Sequence, residues 1–327
     1  MKTTVKKFII LIITLMSGLY AIPCMNEYEV MDGIKKPVIN GDEISAVVID
    51  KMALTEYIHS TMNCPWDGSR IDKNCTNVAV ADIYLGKHES AVKKLEILIK
   101  QYSFEYNVVI TYAVALELTE KYKEALMYLK KAIKLNPDSH EGSEWIHVKI
   151  LEYVVKNGTK APSSSILGID FGNDSIPVAP MDIKIEKLKT ELQFQLQDRL
   201  FFVEGKKDPV YGSLLFDYAN CLVLMDHLSA SVEFFQMAKD YGFESPVLDK
   251  RLKRYSDWKE KNNPEKHTEM KVEGKDESPG EKKIEKKEDR PEKFNTTSIL
   301  FISLSGMAFL LFVFLFIRSQ KRKKSKK

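Results

Sequence analysis

The chain has 327 residues and a formal net charge of +3. Its basic excess lies at the two ends: residues 1–21 hold three lysines, residues 318–327 hold seven basic residues, and neither stretch has an acidic residue. Without these ten, 39 of the 49 basic residues remain against 46 acidic ones, a net charge of −7 for the chain between the ends. That acidic balance argues against nucleic acid as a partner.

The N-terminus predicts a secretory signal peptide over residues 1–21. Lysines precede an apolar run from Phe8 to Leu19, and small residues lead to a cleavage point after Ala21. The run is shorter than the roughly 20 residues that an ordinary membrane span needs. An uncleaved N-terminal anchor is the alternative. Lipid attachment at Cys24 is disfavoured, because Pro23 replaces the small residue that precedes a lipidated cysteine.

The C-terminus predicts a transmembrane helix over residues 296–317, a run without a charged residue. About 20 residues cross a hydrocarbon core of about 30 Å. The basic tail, residues 318–327, should stay on the cytoplasmic side, which places residues 22–295 outside the cytoplasm. Residues 259–294 are rich in both charges and contain three prolines. They predict a disordered stalk, because they cannot bury enough apolar surface to offset their ordering entropy.

The region that precedes the first clear helix, residues 22–73, is expected to form an N-terminal cap. Cys64 and Cys75 enclose a short loop that contains Gly and Asp, and in an oxidising compartment this spacing favours a disulfide. Zinc would need a second close pair of ligands, and none follows in the sequence. Cys221 lies in an apolar helical pattern, which is typical of a small core residue.

Residues 106–137 predict two helices, broken at 119–121, because their apolar residues recur with a period of 3.6. The pattern resembles the tetratricopeptide repeat (TPR), a helix–turn–helix of about 34 residues. Large and small residues match both helices of that repeat, and Pro137 matches its closing position. The matching residues are Tyr112, Ala113, Leu116, Ala125, Leu129 and Ala132. Similar spacing recurs over residues 77–102 and 217–242.

The resemblance implies an all-α fold, a TPR-like α-solenoid of about four helix pairs over residues 74–258. Residues 139–156 fit the first helix of a third repeat, and residues 185–205 fit its second helix, delayed by an insertion over residues 157–182. Insertions of this length are uncommon in compact arrays and often functional. The alternative is an ordered cover over one side of the groove, since four insertion residues favour burial: Ile166, Leu167, Ile169 and Phe171.

A TPR solenoid implies a concave groove that binds a protein or peptide partner. Carried over by position in the repeat, the lining residues are Asn107, Ile110, Val114, Glu117, Glu141, Glu144, Val148, Ser213, Phe216 and Asn220. Glu141 and Glu144 stand where a clamp for a peptide carboxylate would need cations, so an apolar or basic segment fits better. The run GSEWIHVKILE is similar to a feature of membrane-anchored envelope TPR proteins of Bacteroidota-type bacteria, which implies a periplasmic domain held at the inner membrane.

One group of residues is a candidate for chemistry. On a single helix His140, Glu144 and His147 would lie within about 60° of one another and could hold a metal ion. In the TPR register His147 instead faces the partner helix. Phosphate-loop, HExxH, GxSxG and paired-cysteine motifs are absent from the sequence. The sequence therefore predicts a non-enzymatic scaffold without cofactor or metal, and a metal-binding or hydrolytic envelope protein using these three residues is the alternative.

Overall fold

The computed structural model describes residues 31, 33–37, 41–61, 64, 66, 72–158 and 160–262. The predicted signal peptide, the transmembrane run, the basic tail and the stalk beyond Asn262 lie outside these residues. Within them, no helix is both long and apolar enough to cross a bilayer. The described chain contains ten α-helices and one pair of two-residue strands, so the expected all-α class is confirmed.

The N-terminal part begins with a short antiparallel pair, β1 (Ile34–Lys35) with β2 (Val48–Ile49), followed by α1 (Lys51–Ser60). The Asp50 carboxylate caps α1 by accepting hydrogen bonds from two backbone N–H groups of the first turn, at 3.0 and 3.1 Å. Those groups have no carbonyl partner within the helix, so the cap satisfies them.

Cys64 and Cys75 form the disulfide that their spacing favoured, with Cα atoms 5.9 Å apart. Both are buried, and Cys75 ends a short 3-10 helix (Lys73–Cys75) that leads directly into the next α-helix. The disulfide therefore ties the chain after α1 to the start of the helical array. Cys221 is a buried free thiol.

Four consecutive helices follow: α2 (Thr76–Tyr84), α3 (His88–Gln101), α4 (Tyr106–Leu118) and α5 (Tyr122–Leu135). Each packs against the one before it, and α2 also contacts α4. The predicted break at 119–121 is confirmed. A methyl side chain lets two helices approach closely, and the alanines expected between the helices are buried: Ala79, Ala91, Ala113, Ala125 and Ala132.

The segment expected to form one helix over residues 139–156 is interrupted. Residues Ser139–Gly142 form a tight turn in which His140 (φ 53°) and Glu141 (φ 57°) adopt left-handed backbone conformations. Helix α6 begins only afterwards and covers Glu144–Asn157. His140 is therefore not on the same helix as Glu144, which corrects the arrangement expected from the sequence. Left-handed conformations cost non-glycine residues roughly 1–2 kcal/mol each, so surrounding contacts must hold this turn.

Four further helices complete the described chain: α7 (Ile185–Val203), α8 (Pro209–Leu224), α9 (Leu228–Asp240) and α10 (Pro246–Lys261). Helices α7 to α10 pack in chain order. Both α8 and α10 begin with a proline directly after a capping side chain, where the missing N–H costs nothing. Helix α10 continues three residues into the predicted stalk. Apolar side chains form two clusters, one around α1 to α5 and one around α6 to α10.

The loop between α6 and α7, which contains the insertion, covers part of α8 and α10. Leu167 and Phe171 are buried in the second apolar cluster. The Ser165 hydroxyl donates a hydrogen bond to Asp217 of α8 at 2.6 Å. Arg251 of α10 donates hydrogen bonds to three backbone carbonyls of the loop. Of the two roles left open by the sequence, this part of the insertion fulfils that of an ordered cover.

Helix α7 is not simply the delayed partner of α6. It contacts α6 near the start of that helix, where the Trp145 indole N–H donates to Glu191 at 3.1 Å. At its other end, the ring of Phe201 lies 5.4 Å from the ring of Tyr84 on α2. Helix α7 therefore reaches from the third helix pair back to the first. This long reach differs from the hairpin expected from the TPR resemblance.

The N-terminal segment packs on α7 through buried glutamines. Gln193 donates to the backbone carbonyls of Gly41 and Glu43, at 3.2 and 2.8 Å. Gln197 donates to the carbonyl of Pro37 at 3.0 Å. Buried amides are stable only when hydrogen-bonded, so these partners explain why α7 tolerates glutamine inside the domain. The N-terminal region thus extends over α7 as well as capping the first helices.

Candidate functional site

Glu117 on α4 is the centre of a buried ionic network that joins three helices. Its Oε2 atom accepts a hydrogen bond from Nε2 of His147 on α6, at 2.5 Å. Its Oε1 atom accepts one from a guanidinium N–H of Arg199 on α7, at 3.0 Å. A carboxylate bonded to two cationic groups is strongly held, because charge-assisted hydrogen bonds are about twice as strong as neutral ones. Glu117 therefore fixes α6 and α7 against α4.

The network continues through Glu144 to His140. Nδ1 of His140 donates to Glu144 Oε1 at 2.6 Å, and Glu144 Oε2 faces Nδ1 of His147 at 3.5 Å. The hydroxyl of Tyr106 on α4 also donates to Glu144, at 3.4 Å. The left-handed turn at His140 is what brings its ring onto Glu144. The three residues singled out in the sequence are therefore close together in the structure. Glu144 contacts both His140 and His147.

The pKa values of the network follow from burial and pairing. Burial alone would raise the pKa of Glu117, but Arg199 and His147 more than offset this and hold it well below its usual range. The pKa of Glu144 is likewise lowered to about 2, against the effect of burial, by hydrogen bonds from His140 and His147. Burial and Arg199 would lower the pKa of His147, yet the Glu117 carboxylate raises it overall. His147 is therefore favoured in its protonated form beside an ionised Glu117.

These pairings occupy ring nitrogens and carboxylate oxygens that a metal ion would need as ligands. Among the residues that the structure describes, no group of three or more His, Cys, Asp or Glu side chains is arranged to hold one. The ring nitrogens that approach Glu117 and Glu144 act as N–H donors, whereas a metal ligand must offer a lone pair. The metal-binding alternative for His140, Glu144 and His147 has no support in this geometry.

The Glu117–Arg199 ion pair lines two neighbouring cavities, of about 70 and about 360 Å³. Both cavities are lined by Glu117, Leu118, Arg199, Phe202 and Val203, and we call them together the interhelical cleft. The narrow part continues towards Tyr84, Val114 and His147. The wide part continues towards Glu120, Tyr122, Ile150, Lys207 and Asp208. Its volume falls within the range of small-ligand pockets, and apolar walls with a few charged groups are typical of such sites.

The cleft differs from the groove expected from the sequence. Of the expected lining residues, Val114 and Glu117 line the cleft, Glu141 is exposed, and Asn107 and Val148 are partly exposed. The others are buried and not available to a partner: Ile110, Glu144, Ser213, Phe216 and Asn220. Three causes account for this. Ile110 packs in the first apolar cluster. The insertion and Arg251 occupy the space beside α8, and the network occupies the space beside Glu144.

Sequence reasoning missed the contribution of α7 to the site. Arg199, Phe202 and Val203 lie in the segment assigned to the delayed second helix of the third repeat, but they were not among the expected groove residues, because their role depends on where α7 crosses the array. The signal available was the run of four large apolar residues, Leu200–Val203, which directly follows Arg199 at the end of the helix and is unusual for a helix end facing solvent. Comparison of the chain with protein-family profiles, with curated proteins and with solved structures finds no match. The TPR resemblance therefore rests on the residue pattern, and the function on the site itself.

Proposed function

We propose that the protein is a membrane-tethered, TPR-like helical scaffold that binds a peptide segment of a protein partner in the interhelical cleft. The observation that carries the proposal is the cleft itself, a space between α4, α6, α7 and α8 with mixed apolar and charged walls and the Glu117–Arg199 ion pair in its lining. Helix packing in chain order and buried alanines between the helices support a solenoid as the finer description of the fold.

The charges of the cleft favour a cationic segment. Glu117 and Arg199 neutralise each other at 3.0 Å. The remaining charged groups of the wide part are two acids, Glu120 and Asp208, against one base, Lys207. Complementary charge steers a partner and discriminates against wrong ones, so an apolar segment carrying a lysine or arginine fits this lining. The sequence had favoured the same class of peptide for a different set of groove residues.

The tether sets where this binding would take place. The apolar run 296–317 would span the membrane, and the basic tail would keep the C-terminus in the cytoplasm. The helical domain would then face the non-cytoplasmic side, the bacterial periplasm on the envelope resemblance. An oxidising compartment also suits the Cys64–Cys75 disulfide.

Site-specific photo-crosslinking in intact cells tests the proposal. A photoreactive residue replaces Leu118 or Lys207 in the cleft, and Met127, which is 58% exposed on α5, is the control position. We expect one discrete protein adduct from both cleft positions and none from Met127. The Glu120→Lys variant should weaken the adduct, whereas the matched charge reversal Glu124→Lys on α5 should not. Equal adducts at all three positions would contradict binding in the cleft.

A further inference from the structure

A second groove lies at the C-terminal end of the described chain, apart from the interhelical cleft. It has a volume of about 860 Å³ and lies between α10, the loop before α7 and the α8–α9 turn. Its apolar side chains include Ile176, Leu224, Leu228 and Trp258. Ile176 is 52% exposed and Trp258 38% exposed. Large apolar side chains that remain in water on one surface mark a place where something else binds.

The rim of this groove is basic. Lys250, Lys253, Arg254 and Lys261 line it, and Asp257 is the one acidic side chain among the described lining residues. Spacings of three, four and eleven residues from Lys250 place the four on one face of α10. Within the described chain, Lys253 and Lys261 form no ion pair, whereas Lys259 on the neighbouring face pairs with Glu233 at 2.9 Å. This cationic rim contrasts with the net charge of −7 that the chain carries between residues 22 and 317.

The groove is preformed, because Arg251 clamps the loop to α10. Its guanidinium donates to the backbone carbonyls of Phe171, Gly172 and Asp174, at 2.7, 2.7 and 3.0 Å. These bonds hold the loop immediately before Ile176. The apolar loop residue and the basic helix face therefore form one fixed surface, which we call the basic face (Ile176, Lys250, Lys253, Arg254, Trp258 and Lys261).

The position of this face in the chain identifies its occupant. Helix α10 ends at Lys261, and the predicted membrane span begins 35 residues later at Thr296. A flexible coil of that length has a root-mean-square span of roughly 30–35 Å. With the predicted stalk and membrane span, this face would lie within reach of the bilayer. An effective concentration in the millimolar range lets even a weak surface interaction be populated.

We propose that the basic face docks on an anionic phospholipid bilayer, the membrane that holds the protein. Lysine and arginine near such a surface pair with lipid phosphates, and tryptophan with an aliphatic neighbour is favoured at the headgroup boundary. A basic, partly apolar helix face of this kind lies in the interface plane. Docking would orient the helical domain, so that the interhelical cleft is presented at a defined height above the membrane. The inference rests on the tether of the proposed function, though not on cleft binding.

Lysine acylation of the full-length protein in nanodiscs tests the docking. Nanodiscs of phosphatidylcholine alone are compared with nanodiscs that also contain phosphatidylglycerol, and mass spectrometry follows the labelling rate of each lysine. We expect Lys253 and Lys261 to react several-fold more slowly in the anionic discs. Lys93 and Lys100, exposed on α3, serve as controls in the same sample and should react equally in both. Salt at about 1 M, with a Debye length of about 3 Å, should abolish the difference.

Variants separate the possible occupants. In the Lys253→Glu/Lys261→Glu variant, Lys250 should react equally in both discs, whereas Lys93→Glu/Lys100→Glu should leave its protection intact. Equal labelling of wild-type protein in neutral and anionic discs would overturn the proposal. Protection that depends on protein concentration and not on lipid would assign the face to a second copy of the chain, and would overturn it too. A chain that fails to insert into nanodiscs would refute the tether and the docking together, while leaving the cleft to its own test.

Discussion

Replacing Arg251 with methionine should destabilise the protein and release the insertion from α8 and α10. The Arg251 side chain is fully buried, and its guanidinium makes four hydrogen bonds. Three go to loop carbonyls, and the fourth goes to the amide oxygen of Asn220 on α8 at 2.7 Å. Methionine has a similar length and apolar stem but no donor, so the substitution removes the hydrogen bonds with little loss of packing.

The size of the stability loss depends on which oxygen atoms are left without a hydrogen-bond donor. The amide oxygen of Asn220 is buried, and leaving it unpaired costs about 1–3 kcal/mol. The buried carbonyl of Phe171 keeps a second donor, the backbone N–H of Val178 at 2.9 Å. The carbonyls of Gly172 and Asp174 are only partly buried and can bond to water. Removing a charge that folding must desolvate offsets part of the loss. We therefore expect the free energy of unfolding to fall by about 2 kcal/mol.

Urea unfolding of the full-length protein in detergent, followed by circular dichroism, measures this change. Amide hydrogen exchange of peptides covering residues 163–178 shows in addition whether the loop opens locally. Lys253→Met, on the exposed side of the same helix, is the matched control and should stay within about 0.5 kcal/mol of wild type. A loss below about 1 kcal/mol together with unchanged exchange of the loop would refute the clamp.

Three further predictions concern the disulfide and two buried titratable groups. The Cys64→Ser/Cys75→Ser variant should lose about 3 kcal/mol, because the cross-link across 11 residues restricts the unfolded chain; reductant should destabilise wild type in urea and leave the variant unchanged. The raised pKa of His147 means that its stabilising contribution is complete below about pH 6.5 and is lost as the pH rises through the folded value. His147→Gln should therefore cost about 1–3 kcal/mol at pH 6 and less at pH 9, and an equal cost at both would contradict the Glu117 pairing. Burial raises the pKa of Asp217 to about 8, despite the hydrogen bond from Ser165 and the charge of Arg251. A raised carboxyl pKa costs stability progressively from about pH 4 to pH 8, so Asp217→Asn should stabilise the protein at pH 8 by about 1–3 kcal/mol relative to pH 4, as thermal unfolding at the two values would show.

The helices that could be predicted from the sequence are those whose packing is local. In α4 and α5, alanines and large apolar residues recur at the spacing at which consecutive helices touch, so the pattern itself specifies the break at 119–121. The Cys64–Cys75 pair is also local, since the two residues are separated by a short loop. The local pattern also predicts helices in the region of α8 to α10, because each of these helices packs on the next one along the chain.

The parts that could not be predicted depend on contacts distant in sequence. Gln193 and Gln197 indicate a solvent-facing side of α7, yet both are buried against carbonyls about 150 residues earlier. In the sequence, Arg251 lies in a highly charged C-terminal helix and is expected to be exposed. It is buried because the insertion packs over it. The turn at His140 has no local signal beyond Gly142, because it is also held from α4, where a hydrogen bond of 2.5 Å joins the hydroxyls of Tyr106 and Ser139.

The affinity of the crosslinked partner segment for the cleft shows whether the peptide binds there. A synthetic peptide of that segment is titrated against full-length wild-type protein, Glu120→Lys and the matched control Glu124→Lys. Reversing one charge beside a cationic peptide should weaken binding about tenfold, which corresponds to about 1.4 kcal/mol. We expect that loss for Glu120→Lys and wild-type affinity for Glu124→Lys. Equal affinity for all three proteins would show that the peptide binds elsewhere and would contradict the account.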